Sequence, residues 1–230
     1  MPAMGHLYLV RHGQASLGAA DYDQLSELGM RQCEALGLWF AQRGITFEGS
    51  LRGTLKRHAQ SLAGVAEGYG AALPAALEWP GLNEYDSEAL IRTVHAGPLA
   101  KPGTLNSSPE IYRAHFRLLR DALALWMAGQ TQPEGMPSWA DFSAGVAAAL
   151  DHVRGAHTGN VLLVSSGGPI ATAVHQVLGT PVATTIELNL RIRNSALSEF
   201  SFTPKGHRLL SFNHLPHLDT PDRRDWETFA

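Results

Sequence analysis

The stretch HLYLVRHGQAS, residues 6–16, decides the fold. Residues 6–10 form a short apolar run rich in β-formers, which predicts a buried strand ending at Arg11. A polar, glycine-containing loop follows, and then LSELGMRQCEALGLWFAQRG, residues 25–44. Within it Cys33, Leu36, Gly37 and Phe40 fall at helical spacing, Ser26 is placed to cap the helix start, and Gly44 is placed to stop it. The same order returns late in the chain. Residues 160–164 (NVLLV) read as a strand, break at SSGGP, and resume as a helix over 170–178.

Between these two junctions lie a short strand at 47–51 and a helix with Leu55, Ala59, Leu62 and Val65 on one face. The region from about 85 to 139 holds several prolines and glycines and one clear helical segment, 109–127; it reads as an insertion that carries helices over the active-site end of the sheet. An alanine-rich helix is expected over 139–153. Two or three alternating β segments are expected over 185–213, before a polar tail. Strands alternating with helices predict a three-layer α/β/α sandwich with a mostly parallel sheet, formed by one domain of 230 residues.

Composition narrows the function. A hydrophobic fraction of 44% with 17% charged residues belongs to an ordinary globular chain. With a formal net charge of −3 and no basic stripe, nucleic acid is not an expected partner, so any anion must be held by a local cluster. Cys33 is the only cysteine, which excludes an internal disulfide and reads as a small buried apolar side chain. No signal-peptide pattern is present and the apolar runs are strand-sized, so no membrane contact is expected and a cytoplasmic location is the default.

The two strand–loop–helix junctions, LVRHGQAS and LVSSGGPI, carry the chemistry. In open α/β sheets ligands collect beyond the carboxyl ends of strands, where helix N-termini offer unpaired N–H groups and a partial positive charge suited to phosphate. Arg11, His12 and Gly13 supply a fork-shaped cation, an imidazole and a minimal side chain in succession. An arginine grips two phosphate oxygens at once, and a neutral imidazole nitrogen can attack phosphorus. Standing alone, the triplet reads equally as a surface arginine beside a satisfied histidine.

Further blocks change that balance. LVRHGQAS with YDQLSELGMRQCEALG resembles the opening of the histidine phosphatase superfamily, also called phosphoglycerate mutase-like. The resemblance implies that His12 is the phosphorylated histidine. LKRHAQSLAG matches a second block and implies Arg57 as the second phosphate-binding arginine, where the residues alone suggest a solvated helix arginine beside Lys56. GLNEYDSEAL matches a third and implies Glu84 as proton donor to the leaving group. Asn194, Ser195 and the late FNHLPHL are similar to the family's C-terminal pattern, so the resemblance runs from about residue 6 to 217.

The fourth block departs from the pattern. The family usually has Val-Ser-His-Gly-Gly, and this chain reads VSSGG, with Ser166 in the histidine's place. A serine still donates one hydrogen bond, and Gly167 and Gly168 still open the helix, but no positive charge is offered. Loss of one preorganised donor costs ~10²–10³ in rate. Ser166→His is expected to raise turnover if the pocket otherwise keeps the family geometry.

The resulting expectation is a phosphomonoesterase, of weakened activity, acting through a phosphohistidine on a small phosphorylated metabolite. Arg11, Arg57, Ser166 and Gly167 would hold phosphate, and His12 and Glu84 would do the chemistry, with no cofactor and no metal. The alternatives are a non-catalytic phosphate or phosphoprotein binder, a phosphoglycerate mutase-type transferase, and a serine hydrolase built on Ser166, which the elbow pattern disfavours because Val164 stands where glycine is needed.

Gln14 and Ser16 are expected either to touch substrate or to structure the loop. His58 either leans into the pocket in place of the missing histidine or is a surface or packing residue. His175, His214 and His217 read as structural, and Trp79, Trp126 and Trp139 as packing, some of them lining a substrate mouth with Arg92, His95 and Lys101. A homodimer is left open.

Overall fold

The computed structural model describes residues 4–16, 23–98 and 108–229. Six strands form one sheet in the order β3-β2-β4-β1-β5-β6, with β1 at Gly5–Arg11, β2 at Gly49–Arg52, β3 at Ala76–Glu78, β4 at Asn160–Ser165, β5 at Leu197–Thr203 and β6 at Gly206–His214. The pairs β1/β4, β2/β4 and β2/β3 are parallel, and the antiparallel pairs β1/β5 and β5/β6 complete one edge. The expected α/β fold with a mostly parallel sheet is therefore present.

The strands alternate between two apolar layers, as a period of two requires. Leu7, Leu9, Val161 and Leu163 face one side, against α3 (Ser87–Arg92), α4 (Pro109–Met127), α5 (Trp139–Ala156) and α6 (Gly167–Leu178). Tyr8, Val10, Leu162 and Val164 face the other, against α1 (Glu27–Gln42) and α2 (Lys56–Tyr69). Each such Leu or Val contributes roughly 1.5–3 kcal/mol by leaving water.

The cap at Ser26 forms as expected, its hydroxyl accepting from Gly29 N at 3.0 Å, and Gly44 ends α1 with φ +63°. Cys33 is buried, and loss of solvent pushes its thiol up to about 11. The 85–139 region supplies α3 and α4, and α4 packs on α3, α5 and α7 (Val182–Asn189). Its Trp126 sits 5.2 Å from Phe142 and 6.0 Å from Tyr85, ring centre to ring centre, in an aromatic cluster beside the sheet's carboxyl end. No helix among the described residues is long and apolar enough to cross a membrane.

Three expectations need correction. Residues 182–189 are helical, so the β reading that began at 185 does not hold over 185–189. Pro181 caps the turn, Thr185 Oγ1 donates back to Pro181 O at 3.1 Å, and Ile186 is buried in the core, so packing overrides the β-branched composition. The short edge strand β3 was not expected; Trp79 N donates to Arg52 O beside it. The buried side of α2 is not Leu55, Ala59 and Leu62. It is Arg57, His58, Ser61, Gly64 and Val65.

Candidate active site

β1 delivers Arg11 and His12 to the carboxyl edge of the sheet, and the main chain there is held from both sides. Arg11 N donates to Ala196 O at 3.0 Å and His12 N to Ser165 O at 2.9 Å, while His12 O accepts from Ser195 N at 3.1 Å. Ser195 adopts φ +55°, unusual for a non-glycine residue, and its hydroxyl meets His217 Nε2 at 2.9 Å. The C-terminal blocks singled out in the sequence thus brace the backbone of His12. Arg11 Nη1 donates to Ile192 O. Gly13 is sterically required: a Cβ there would lie 2.3 Å from Gly29 O.

The His12 ring is fixed in one tautomer. Nδ1 lies 2.7 Å from Gly13 O. A carbonyl oxygen only accepts, so Nδ1 carries the proton and Nε2 presents its lone pair. Burial first, and then the charges of Arg11 and Arg57, hold the imidazole well below its usual range and therefore neutral.

Arg57 sits in the first turn of α2. Asp23, far away in sequence, accepts from Lys56 N at 2.8 Å and so caps the helix start, while its other oxygen takes Arg57 Nη1 at 2.7 Å. Ser61, one turn on, accepts from Gly13 N at 3.1 Å and locks α2 to the loop after β1.

Glu84 follows a 3₁₀ turn at Pro80–Leu82 and docks on the start of α6: Gly168 N donates to its Oε1 at 3.0 Å. Any Cβ on Gly168 would fall 2.3 Å from that oxygen. Loss of solvent raises the Glu84 pKa, against the opposing pull of Arg57, Arg11 and the backbone amides. The charges of Arg11 and Arg57 therefore act on His12 and Glu84 alike.

Ser166 and His58 meet as well. Ser166 caps α6 in an extended conformation, wholly buried, with its Oγ 2.7 Å from His58 Nε2. His58 is also wholly buried, its ring centre 5.8 Å from that of His12, so of the readings offered for it a surface position is excluded. The space beside position 166 is filled by that imidazole, so the condition attached to Ser166→His, a pocket that otherwise keeps the family geometry, is not met there. Gly167 opens α6 against Asn189, whose Oδ1 would lie 2.8 Å from an added Cβ.

Gln14 and Ser16 structure the loop. Gln14 Oε1 accepts from Ser26 Oγ at 2.8 Å, and Ser16 Oγ donates to Leu25 O at 2.9 Å. His175 Nδ1 donates to Thr180 O at 2.7 Å, His217 is buried, and His214 is exposed. Trp79 and Trp126 donate to Gly145 O and Pro137 O, both at 3.2 Å, and Arg92 pairs with Glu88. Lys101 lies outside the described residues. Among the described residues no group of three His, Cys, Asp or Glu side chains is arranged to hold a metal ion. Sequence reading missed Asp23, Ser61 and Gly53. The first pairs across more than thirty residues, and the other two belong to packing that no local pattern announces.

Solved structures share this fold across nearly the whole chain. A phosphoglycerate mutase from Bacillus anthracis str. Sterne superposes with a TM-score of 0.64 at 18% identity, covering 94% of this chain and 96% of that one. A phosphoserine phosphatase from Entamoeba histolytica gives 0.61 at 19%, covering 93% and 99%. A mycobacterial glucosyl-3-phosphoglycerate phosphatase gives 0.61 at 21%, covering 91% and 98%. At such identities the likeness concerns the fold alone. No curated protein sequence matches the chain. The family model for the histidine phosphatase superfamily, branch 1, matches residues 7–93 and 108–215, and the chain belongs to that superfamily.

Proposed function

We propose that the chain is a cytoplasmic phosphomonoesterase that acts through a phosphohistidine on a small phosphorylated metabolite. The observation that carries this reading is the His12 ring: neutral, tautomerically fixed by Gly13 O, and set in the field of two arginines. Arg11 and Arg57 hold the phosphoryl oxygens, and Nε2 attacks phosphorus in line as the ester oxygen departs. Glu84, kept protonated more readily than an ordinary carboxylate, gives its proton to that oxygen. Its carboxylate then takes a proton from water, the water oxygen bonds to phosphorus, and the P–N bond breaks to release phosphate and restore neutral His12. Neither step calls for a metal or an organic cofactor.

The test is incubation with an aryl phosphate followed by rapid quench. Acid-labile, base-stable phosphate on His12 is expected, with turnover abolished in His12→Ala. Phosphate binding without label or turnover would instead make the chain a binder.

A further inference from the structure

The fourth pocket block lacks its histidine, yet an imidazole stands next to that position. We infer that His58 and Ser166 act as one donor unit on the phosphoryl group, with His58 as the positioning residue: its Nε2–H holds the Ser166 oxygen, so that the Ser166 hydroxyl proton is directed to a phosphoryl oxygen. The inference rests on the phosphatase reading for its reaction, though not for its anion.

The geometry sets the direction of the bond. His58 Nε2 lies 2.7 Å from Ser166 Oγ, and the opposite nitrogen, Nδ1, is buried with no hydrogen-bond partner among the described residues. A neutral ring carries one proton. Placed on Nδ1 it would leave a buried N–H orphaned, the rarer and costlier outcome, whereas placed on Nε2 it is used at once. Burial and the charges of Arg57 and Arg52 keep the ring neutral, with its pKa lowered to about 3. A hydroxyl that accepts at its oxygen from an N–H retains its own proton to donate.

The site is built for this ring. Gly53, at the end of β2, has no Cβ, and one placed there would lie 2.2 Å from His58 Nδ1 and 2.7 Å from Asn83 Oδ1. Asn83 Oδ1 is fixed by Thr54 N at 2.7 Å. The ring thus lies in a slot between Gly53 and Ser166, facing His12 at 5.8 Å.

A Ser–His pair also evokes a serine nucleophile. With no acceptor on Nδ1, an imidazolium there has no stabilising partner, and Ser166 has relaxed extended dihedrals (φ −117°, ψ 175°) in place of a strained elbow. The structure therefore favours the donor over the nucleophile.

The experiment compares the full chain with H58A, H58Q, S166A, S166H, H58A/S166A and H58A/S166H, by hydrolysis of an aryl phosphate and by calorimetric binding of inorganic phosphate. Thermal melts and circular dichroism serve as the folding control. H58A and S166A should each lower kcat by ~10²-fold with a smaller change in KM, and the double alanine variant should be no worse than either, since the two act as a unit. H58Q, whose amide N–H reaches the Nε2 position, should recover at least tenfold over H58A with an unchanged pH profile. S166H alone should lose activity, and H58A/S166H should regain it.

Losses that multiply in the double variant, or an H58A within twofold of the parent, overturn the inference. So does labelling of Ser166 by a fluorophosphonate. If the parent hydrolyses nothing, the phosphatase reading falls and the donor unit is judged by phosphate affinity alone. A tenfold or greater weakening in H58A, reversed in H58A/S166H, sustains it, and an unchanged affinity overturns it.

Discussion

Helices α1 and α2 lie side by side on the same face of the sheet, yet they bury different materials: α1 mainly apolar side chains, with Gln32 the exception, and α2 polar ones over its first turns. α1 turns Cys33, Leu36 and Phe40 inward, with Gly29 and Gly37 allowing close approach. α2 turns Arg57, His58 and Ser61 inward along its first turns and reverts to Gly64 and Val65 only further on. A charged or titratable side chain inside a protein destabilises it unless it is paired, and α2 accepts that cost where its N-terminus meets the carboxyl end of the sheet. The difference separates a helix selected for folding from one that folds in order to hold a site.

The two helices should respond oppositely when each loses one buried side chain. Arg57→Ala should leave the melting temperature within a few degrees while lowering aryl phosphate turnover by ~10³-fold or more, which steady-state kinetics on the folded variant checks. Leu36→Ala should do the reverse. Leu36 is fully buried, so its truncation should cost ~2–5 kcal/mol in urea unfolding while the remaining folded fraction keeps its kcat. If Leu36→Ala alters kcat per folded molecule, the two helices are not separable.

Gly53→Ala probes the slot beside α2. An added Cβ would press on His58 Nδ1 at 2.2 Å, and a fall in kcat of ~10²-fold is expected with far-ultraviolet circular dichroism unchanged. Parental turnover in this variant would mean that the ring can shift without consequence.

A pair of pH slopes of opposite sign separates the two helices as well. His58 is neutral in the fold to about pH 3, whereas the unfolded chain protonates it near 6.5. Below 6.5 the unfolded state therefore binds more protons, and the stability present above that pH is lost as pH falls, by up to ~1.4 kcal/mol per pH unit from this ring. Cys33 works at the other end. Its thiol is pushed up to about 11, so the unfolded state loses its proton first and stability falls as pH rises beyond roughly 9. Melts across pH should show the acid slope shrink in His58→Gln and the alkaline slope shrink in Cys33→Ala.

The same contrast explains what the sequence made legible. β1, β4, the Ser26 cap and the face of α1 follow from local rules, because there the inward residues are mostly apolar and periodic, with buried Gln32 the polar exception on α1. In α2 the inward residues are polar, so a search for an apolar stripe selects Leu55, Ala59 and Leu62 and misses the buried side. The motif residues His12, Arg11, Arg57 and Glu84 were singled out by pattern, and the charges of the two arginines act on the other two. Asp23 against Arg57 and Gly53 against His58 were not found, because each depends on a chain approach fixed only once the sheet has formed. Residues 182–189 misled for a related reason: their β-branched composition yields to the cap at Pro181 and the burial of Ile186.

The contact between Glu84 and the first turn of α6 also bears on timing. With its carboxyl oxygen accepting from the main-chain amide of Gly168 at 3.0 Å, the side chain is tied to the start of α6. In the proposed reaction the proton donor and the helix start that carries Ser166 and Gly167 would then move together, and delivery of the proton would keep step with α6.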